Sequence, residues 1–231
     1  MTGTVAVVPL RDGVSGKSRL AATLDPGARR RLVVALARHV LEVLASPAAG
    51  GRLAGVVVVT ADVPFVEEVL TDLPGSSSGP RSGPPTRAAE VIAEPPDQPG
   101  LDGALHHARS HLRDLGADRM LVVHADLPRL GTDDVRALLA DPADVAVATD
   151  RHGTGTNLLA VPLDPPDLRF RFGPGSRAAH EAEAATHGLT SAVVRRPGTT
   201  ADLDTIDDWA ELPAEIRARV GAAVGHPLAA R

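Results

Sequence analysis

Runs of four consecutive apolar residues punctuate this 231-residue chain, among them 5–8 (VAVV), 56–59 (VVVV), 120–123 (MLVV) and 145–148 (VAVA). A strand with one wet face alternates apolar and polar residues, so an unbroken apolar run predicts a strand covered on both sides. Residues 89–93 and 192–194 read as further strands. Between the strands, Leu32, Leu36, Val40 and Leu44 recur at helical spacing behind a cap-and-start pair, Asp25 and Pro26. Helices are also expected over 63–70, around Leu101, Leu105, Ala108 and Leu112, around Val135 and Leu138, over 176–187, and around Ile216, Val220 and Val224. The stretch from 149 to 175 reads as irregular. This alternation predicts an α/β fold, with a mostly parallel central sheet and helices on both faces. Ligands in such sheets sit beyond the carboxyl ends of the strands. The loops after Val8, Ala93, Val123 and Ala148 are therefore where chemistry is to be sought.

Composition narrows the function classes. A formal charge of −5 argues against nucleic acid or an anionic membrane as the main partner. No run of 18 apolar residues is present, and the chain opens into a strand pattern rather than a signal peptide, so a cytoplasmic protein is expected. The lack of cysteine rules out disulfides, zinc–thiolate sites and thiol catalysis. One domain over 1–231 is expected, with a Pro-, Ser- and Gly-rich surface loop near 74–88 and a helical tail over 213–231. The tail can pack across a dimer or against its own sheet.

The chain holds one lysine, Lys17, among 24 basic residues. It stands in the loop after the first strand, 9–20 (PLRDGVSGKSRL). Lysine is a compact point charge and arginine a planar fork, so a lone lysine beside small residues points to phosphate chemistry, unless it is a chance remnant. A P-loop requires glycine where Arg11 stands, which excludes a Walker-type site. Lys17, Arg19 and the loop N–H groups still suit a triphosphate.

Three further segments carry candidate chemistry. His124-Ala-Asp126 leads out of a buried strand, and a carboxylate there suits Mg²⁺. Capping of the next helix is the alternative for Asp126, but Thr132, Asp133 and Asp134 already offer that cap. Residues 150–157 (DRHGTGTN) and 172–176 (FGPGS) form two glycine-rich turns, the second opening a helix at Ser176 and suiting an anion. Arg151, Arg169, Arg171 and Arg177 flank them. In an extended backbone Asp202 and Asp204 share a face, so both can join Asp126 on metal. Helix capping is the alternative, and it bears more on Asp204.

Taken in order, 9–20, 100–105 (GLDGAL), 125–128 (ADLP), 150–157, 172–176 and 202–204 resemble the 2-phospholactate/phosphoenolpyruvate guanylyltransferases of coenzyme F-420 biosynthesis. The resemblance spans about residues 4–212. Arg11 stands where many relatives carry lysine, and Asp102 where asparagine is common. The resemblance implies a single-domain, nucleotidyltransferase-type Rossmann-like fold. It implies GMP transfer from GTP to a phosphorylated three-carbon acid, with one or two Mg²⁺ ions. Lys17 and Asp126 are the implied catalytic residues. Pro9, Leu10, Lys17, Ser18, Arg19, Glu94, Gly103 and Asp126 would bind nucleotide. Thr156, Asn157, Gly173 and Ser176 would bind the acceptor, and Asp126, Asp202 and Asp204 the metal. The arginine-rich composition, by analogy with high-GC bacteria, favours phosphoenolpyruvate over 2-phospholactate or 3-phosphoglycerate. A molybdopterin- or sugar-type nucleotidyltransferase, or a GTP sensor without catalysis, stands as an alternative. The resemblance also allows a homodimer.

Overall fold

The computed structural model describes residues 3–11, 17–50, 52–71 and 89–225. Gly16, the side chain of Ser18, the expected loop at 74–88 and residues 226–231 lie outside them. The strands are β1 (Thr4–Pro9), β2 (Leu53–Thr60), β3 (Glu90–Ala93), β4 (Arg119–Val123), β5 (Val145–Ala148), β6 (Leu158–Pro162) and β7 (Ser191–Val194). The helices are α1 (Pro26–Ala45), α2 (Pro47–Gly50), α3 (Val63–Thr71), α4 (Leu101–Asp114), α5 (Thr132–Ala140), α6 (Ser176–Thr186), α7 (Ile206–Glu211) and α8 (Ala214–Val224), with a 3₁₀ turn at Ser18–Leu20.

The strands form one sheet in the order β3-β2-β1-β4-β6-β5-β7. All neighbouring pairs are parallel except those of β6, which runs antiparallel to both β4 and β5. This corrects the expectation of an irregular stretch from 149 to 175. The run Leu158-Leu-Ala-Val-Pro162 is buried between two strands where a solvated loop cannot lie. Its direction has a consequence for the site. The β5–β6 connection returns at the carboxyl end of β5, which sets Thr156 and Asn157 beside the carboxyl end of β4.

Side-chain alternation splits the core into two layers. Ala6 and Val8 of β1 pack with α1, α3 and α5 on one face, while Val5 and Val7 pack with α4 and α6 on the other. A third cluster joins Leu20, Leu32 and Leu36 to Leu203, Trp209, Val220 and Val224. The C-terminal helix α8 thus packs on α1 of its own chain. On the opposite side of the sheet, Arg109 of α4 is 2% exposed. Its guanidinium donates to the carbonyls of Pro162, Leu163, Pro165 and Leu168, which ties α4 to the segment after β6.

The caps bear on which carboxylates remain for chemistry. Asp25 caps α1 as expected, its Oδ1 accepting from Ala28 N at 2.8 Å. At α5 the cap position is Gly131 rather than Thr132, and Asp134 Oδ2 reaches back to Gly131 N at 2.9 Å. The N-terminus of α7 is closed by Thr205 and Asp208, each bonding the other's backbone N–H. Neither Asp126 nor Asp204 is a helix cap.

Candidate functional site

Three chain segments meet where β1 and β4 end. The first is the loop after β1, which returns Lys17 with φ +58°, the only positive φ among described non-glycine residues. Such a backbone is unfavourable for a side-chain-bearing residue and is tolerated where surrounding contacts dictate it. The second is His124-Ala-Asp126, which continues β4. The third is 201–204, docked alongside through Leu203 N to Asp126 O at 3.1 Å. Leu203 is buried in the third cluster. Extended backbone then turns its neighbours Asp202 and Asp204 away from that core, as their spacing predicted.

The Lys17 ammonium lies 2.7 Å from Asp126 Oδ2 and 2.5 Å from Asp204 Oδ1, with only 9% of its side chain exposed. Burial alone would pull this amine down, but the two carboxylates outweigh it and raise Lys17 above the ordinary lysine value. Asp126 is the mirror case. Burial pushes its carboxyl up, yet Lys17 and then His124 hold it below the ordinary value. Asp202 makes no contact with Lys17, and its coulombic partner is the more distant Arg151. Burial and the neighbouring Asp126 and Asp204 raise it, against an opposing hydrogen bond from Asn157.

These carboxylates have the hard oxygen donors that Mg²⁺ takes. Asp126 Oδ1 is buried without a hydrogen-bond partner, so a lone-pair set faces the site unsatisfied. The Lys17 ammonium already draws two of these carboxylates around a cation. The residues therefore fit a divalent ion, although among the described residues no three acidic or imidazole groups are already gathered as a ligand set. Lys17 stands between two of the carboxylates, and Asp202 is turned to Asn157 Nδ2 at 3.2 Å.

Beside this cluster lies a cleft of about 260 Å³ whose walls include Pro9, Leu10, Arg11, Glu94, Leu101 and Ala104, with Lys17, His124, Asp126 and Asp204 at its acidic side. Glu94 has a second task, its Oε1 accepting from Gly100 N at 2.5 Å to close the turn into α4. Gly103 does not line the cleft. A Cβ there would lie 2.1 Å from Gln98 O, so the glycine lets that turn sit on α4. Gly103→Ala should lower stability by about 1–3 kcal/mol in urea unfolding. An unchanged midpoint would mean that the turn relaxes freely. Arg19 is exposed, and Asp102 Oδ1 accepts from Phe172 N at 3.3 Å, joining α4 to the FGPGS turn.

The expected acceptor residues form a second group behind the carboxylates and do not line that cleft. His124 N donates to Asn157 O at 3.1 Å, joining the two groups. Asn157 donates through Nδ2 to Thr199 O and Asp202 Oδ1, so both amide hydrogens are engaged and the side chain orients Asp202. Thr156 and Ser176 are buried, and Gly173 is exposed at φ +120°. Arg177 N bonds Thr154 O at 3.1 Å, fastening the start of α6 to the DRHGTGTN turn. Three of the flanking arginines are paired with carboxylates: Arg151 with Asp208 and Glu211, Arg171 with Glu183, and Arg177 with Glu181. They brace the loops rather than form an anion cluster.

Sequence reasoning missed two imidazoles here. His124 Nε2 is buried without a hydrogen-bond partner, and burial above all lowers its basicity. Its ring lies 5.2 Å from that of Phe172, which in turn stands edge-on to His180 at 4.8 Å. The available signals were slight: His124 is two residues from Asp126, and His180 is one helical turn from Ser176.

A parallel sheet interrupted by one antiparallel strand, with paired carboxylates and a lysine beyond the strand ends, defines a nucleotidyltransferase-type α/β protein. The structure is similar to a nucleotidyl transferase from Methanothermobacter thermautotroptrophicus (TM-score 0.64, 20% identity, 94% of this chain and 97% of that one). It is also similar to a CMP:2-keto-3-deoxy-manno-octonic acid synthetase complexed with CTP (TM-score 0.55, 14% identity, 95% and 99%). At those identities the likeness concerns the fold. The sequence is 37% identical to a phosphoenolpyruvate guanylyltransferase of Sphaerobacter thermophilus, over 90% of this chain and 92% of that protein. It is 34% identical to one of Conexibacter woesei, over 95% and 92%. Residues 4–215 match the family model described as guanylyl transferase CofC like, and the chain belongs to that family. Among the described residues, no helix is long and apolar enough to cross a membrane.

Proposed function

We propose that one catalytic domain transfers GMP from GTP to the phosphate of phosphoenolpyruvate, giving enolpyruvyl-diphosphoguanosine and pyrophosphate in coenzyme F-420 biosynthesis. The observation that carries this reading is the Lys17 ammonium clasped by Asp126 and Asp204 in the wall of the cleft. Family membership and relatives that share the acceptor in their names support it. The reaction would run in the cytoplasm.

In this reaction an oxygen of the acceptor phosphate forms a bond to the α-phosphorus of GTP, and the bond from that phosphorus to the pyrophosphate oxygen breaks. Such a transfer needs positioning and charge neutralisation more than covalent help. Pro9, Leu10, Ser18, Glu94 and the turn held by Gly103 would seat the nucleotide. Lys17 and Arg19 would meet its phosphates and offset charge on the departing pyrophosphate. Asp126, Asp202 and Asp204 would hold one or two Mg²⁺ ions, which would supply positive charge to the reacting phosphates. Thr156, Gly173 and Ser176 would take the acceptor's phosphate and carboxylate, while Asn157 keeps Asp202 aimed at the same place.

The test is pyrophosphate release with GTP and Mg²⁺ and each of phosphoenolpyruvate, 2-phospholactate and 3-phosphoglycerate. Phosphoenolpyruvate should give the highest kcat/KM. Faster turnover with one of the other acids would reassign the acceptor, and no pyrophosphate with any of them would overturn the reading.

A further inference from the structure

His180 is 3% exposed and sits on the buried face of α6, one turn after Ser176. Its two ring nitrogens have different neighbours. Nε2 lies 3.0 Å from the backbone N of Arg171. A backbone amide can only donate, so Nε2 must be the bare, accepting nitrogen and Nδ1 must carry the proton. Nδ1 lies 3.1 Å from Thr156 Oγ1, which is itself 3% exposed. A protonated Nδ1 cannot accept, so the Thr156 oxygen accepts from it, sharing the proton with the Ser176 backbone carbonyl. The hydroxyl hydrogen of Thr156 is then left to donate elsewhere. The Phe172 ring, standing edge-on at 4.8 Å and 71°, holds the imidazole plane.

From this geometry we infer that His180 is a positioning residue, whose Nδ1–H turns the Thr156 hydroxyl into an obligate donor toward the anionic acceptor. The Arg171 amide, just ahead of the FGPGS turn, therefore sets the tautomer of His180, and the tautomer sets the polarity of Thr156. Both acceptor turns are linked by a single ring. A charged imidazole would present an N–H to the Arg171 amide and break this arrangement. Consistently, burial above all, with His124 and Arg171 nearby, lowers His180 to about 4 against Glu183 and a hydrogen bond to the Ser176 backbone. The ring therefore stays neutral across the physiological range.

The inference rests on the proposed acceptor site and is tested apart from it. In the wild-type protein, a long-range ¹H–¹⁵N spectrum should show His180 neutral and protonated on Nδ1. An Nε2-protonated ring would overturn the assignment whatever the activity. His180→Phe keeps a packed ring and removes both polar contacts. It should raise KM for phosphoenolpyruvate about 10-fold or more, with KM for GTP unchanged. His180→Asn, whose amide can replace the Nδ1–H donor, should recover most of that loss. Combining His180→Phe with Thr156→Val should cost no more than Thr156→Val alone. Additive losses, or equal rises in both KM values, would reduce His180 to a packing residue and overturn the inference while leaving the proposed reaction standing. Failure of the wild type to release pyrophosphate with any of the three acids would instead overturn the reaction.

Discussion

Asp126→Asn should reduce pyrophosphate release about 10³-fold or more, with the protein still folded. The substitution keeps shape and removes one charge from the carboxylate that faces Lys17 on one oxygen and a partnerless buried space on the other. Several kcal/mol of charge stabilisation at the transferred phosphorus would go with it, and each 1.36 kcal/mol is about tenfold in rate. Stability should change far less than activity, because Lys17 retains Asp204 as a partner. The measurement is kcat alongside a thermal melt. Turnover within about tenfold of wild type would mean that the charge serving the reaction lies on another residue.

The second large effect is expected at Lys17. Lys17→Arg preserves charge, yet the slot between Asp126 and Asp204 admits a single nitrogen at 2.7 and 2.5 Å. A planar guanidinium bonds carboxylates side by side and is wider than that slot, so kcat should fall about 10²-fold. Lys17→Ala separates charge from catalysis. It leaves two carboxylates without their counter-ion, so Mg²⁺ should bind the nucleotide-free protein more tightly even as turnover collapses. Calorimetry with Mg²⁺ alone reads the first effect and pyrophosphate release the second. Unchanged Mg²⁺ affinity would mean that the ammonium does not compete for the metal position. Near-normal turnover of Lys17→Arg would remove Lys17 from the reaction.

Much of the frame was legible along the chain. The apolar runs at 5–8, 56–59, 120–123 and 145–148 became buried strands, because a run without polar alternation has no face to give to water. Asp25 and Pro26 start α1 as read, since capping involves only neighbours three residues apart. The same local logic was not carried to β6, although its four apolar residues, 158–161, match the other runs in length. Their place became evident only once β4 and β5 lay on either side. Asp202 and Asp204 were legible as a pair, but their separate fates were not. Asp204 meets Lys17, whereas Asp202 is held by Asn157 and is raised above the ordinary carboxylate value by burial and its acidic neighbours.

The sequence by itself determined most of the strands and helices, β6 apart, the loops in which chemistry could sit, and the carboxylates and lysine available for it. These follow from periodicity, turn chemistry and residue type, which act over a few neighbouring positions. Only the tertiary structure decided which charge meets which. Lys17 is separated by 109 residues from Asp126 and by 187 from Asp204. Arg151, Arg171 and Arg177, which the chain set beside the acceptor turns, went to carboxylates of α6 and α7 and their flanks. Coulombic and hydrogen-bond energies depend on distance and burial, and those are set only when the sheet has closed around them.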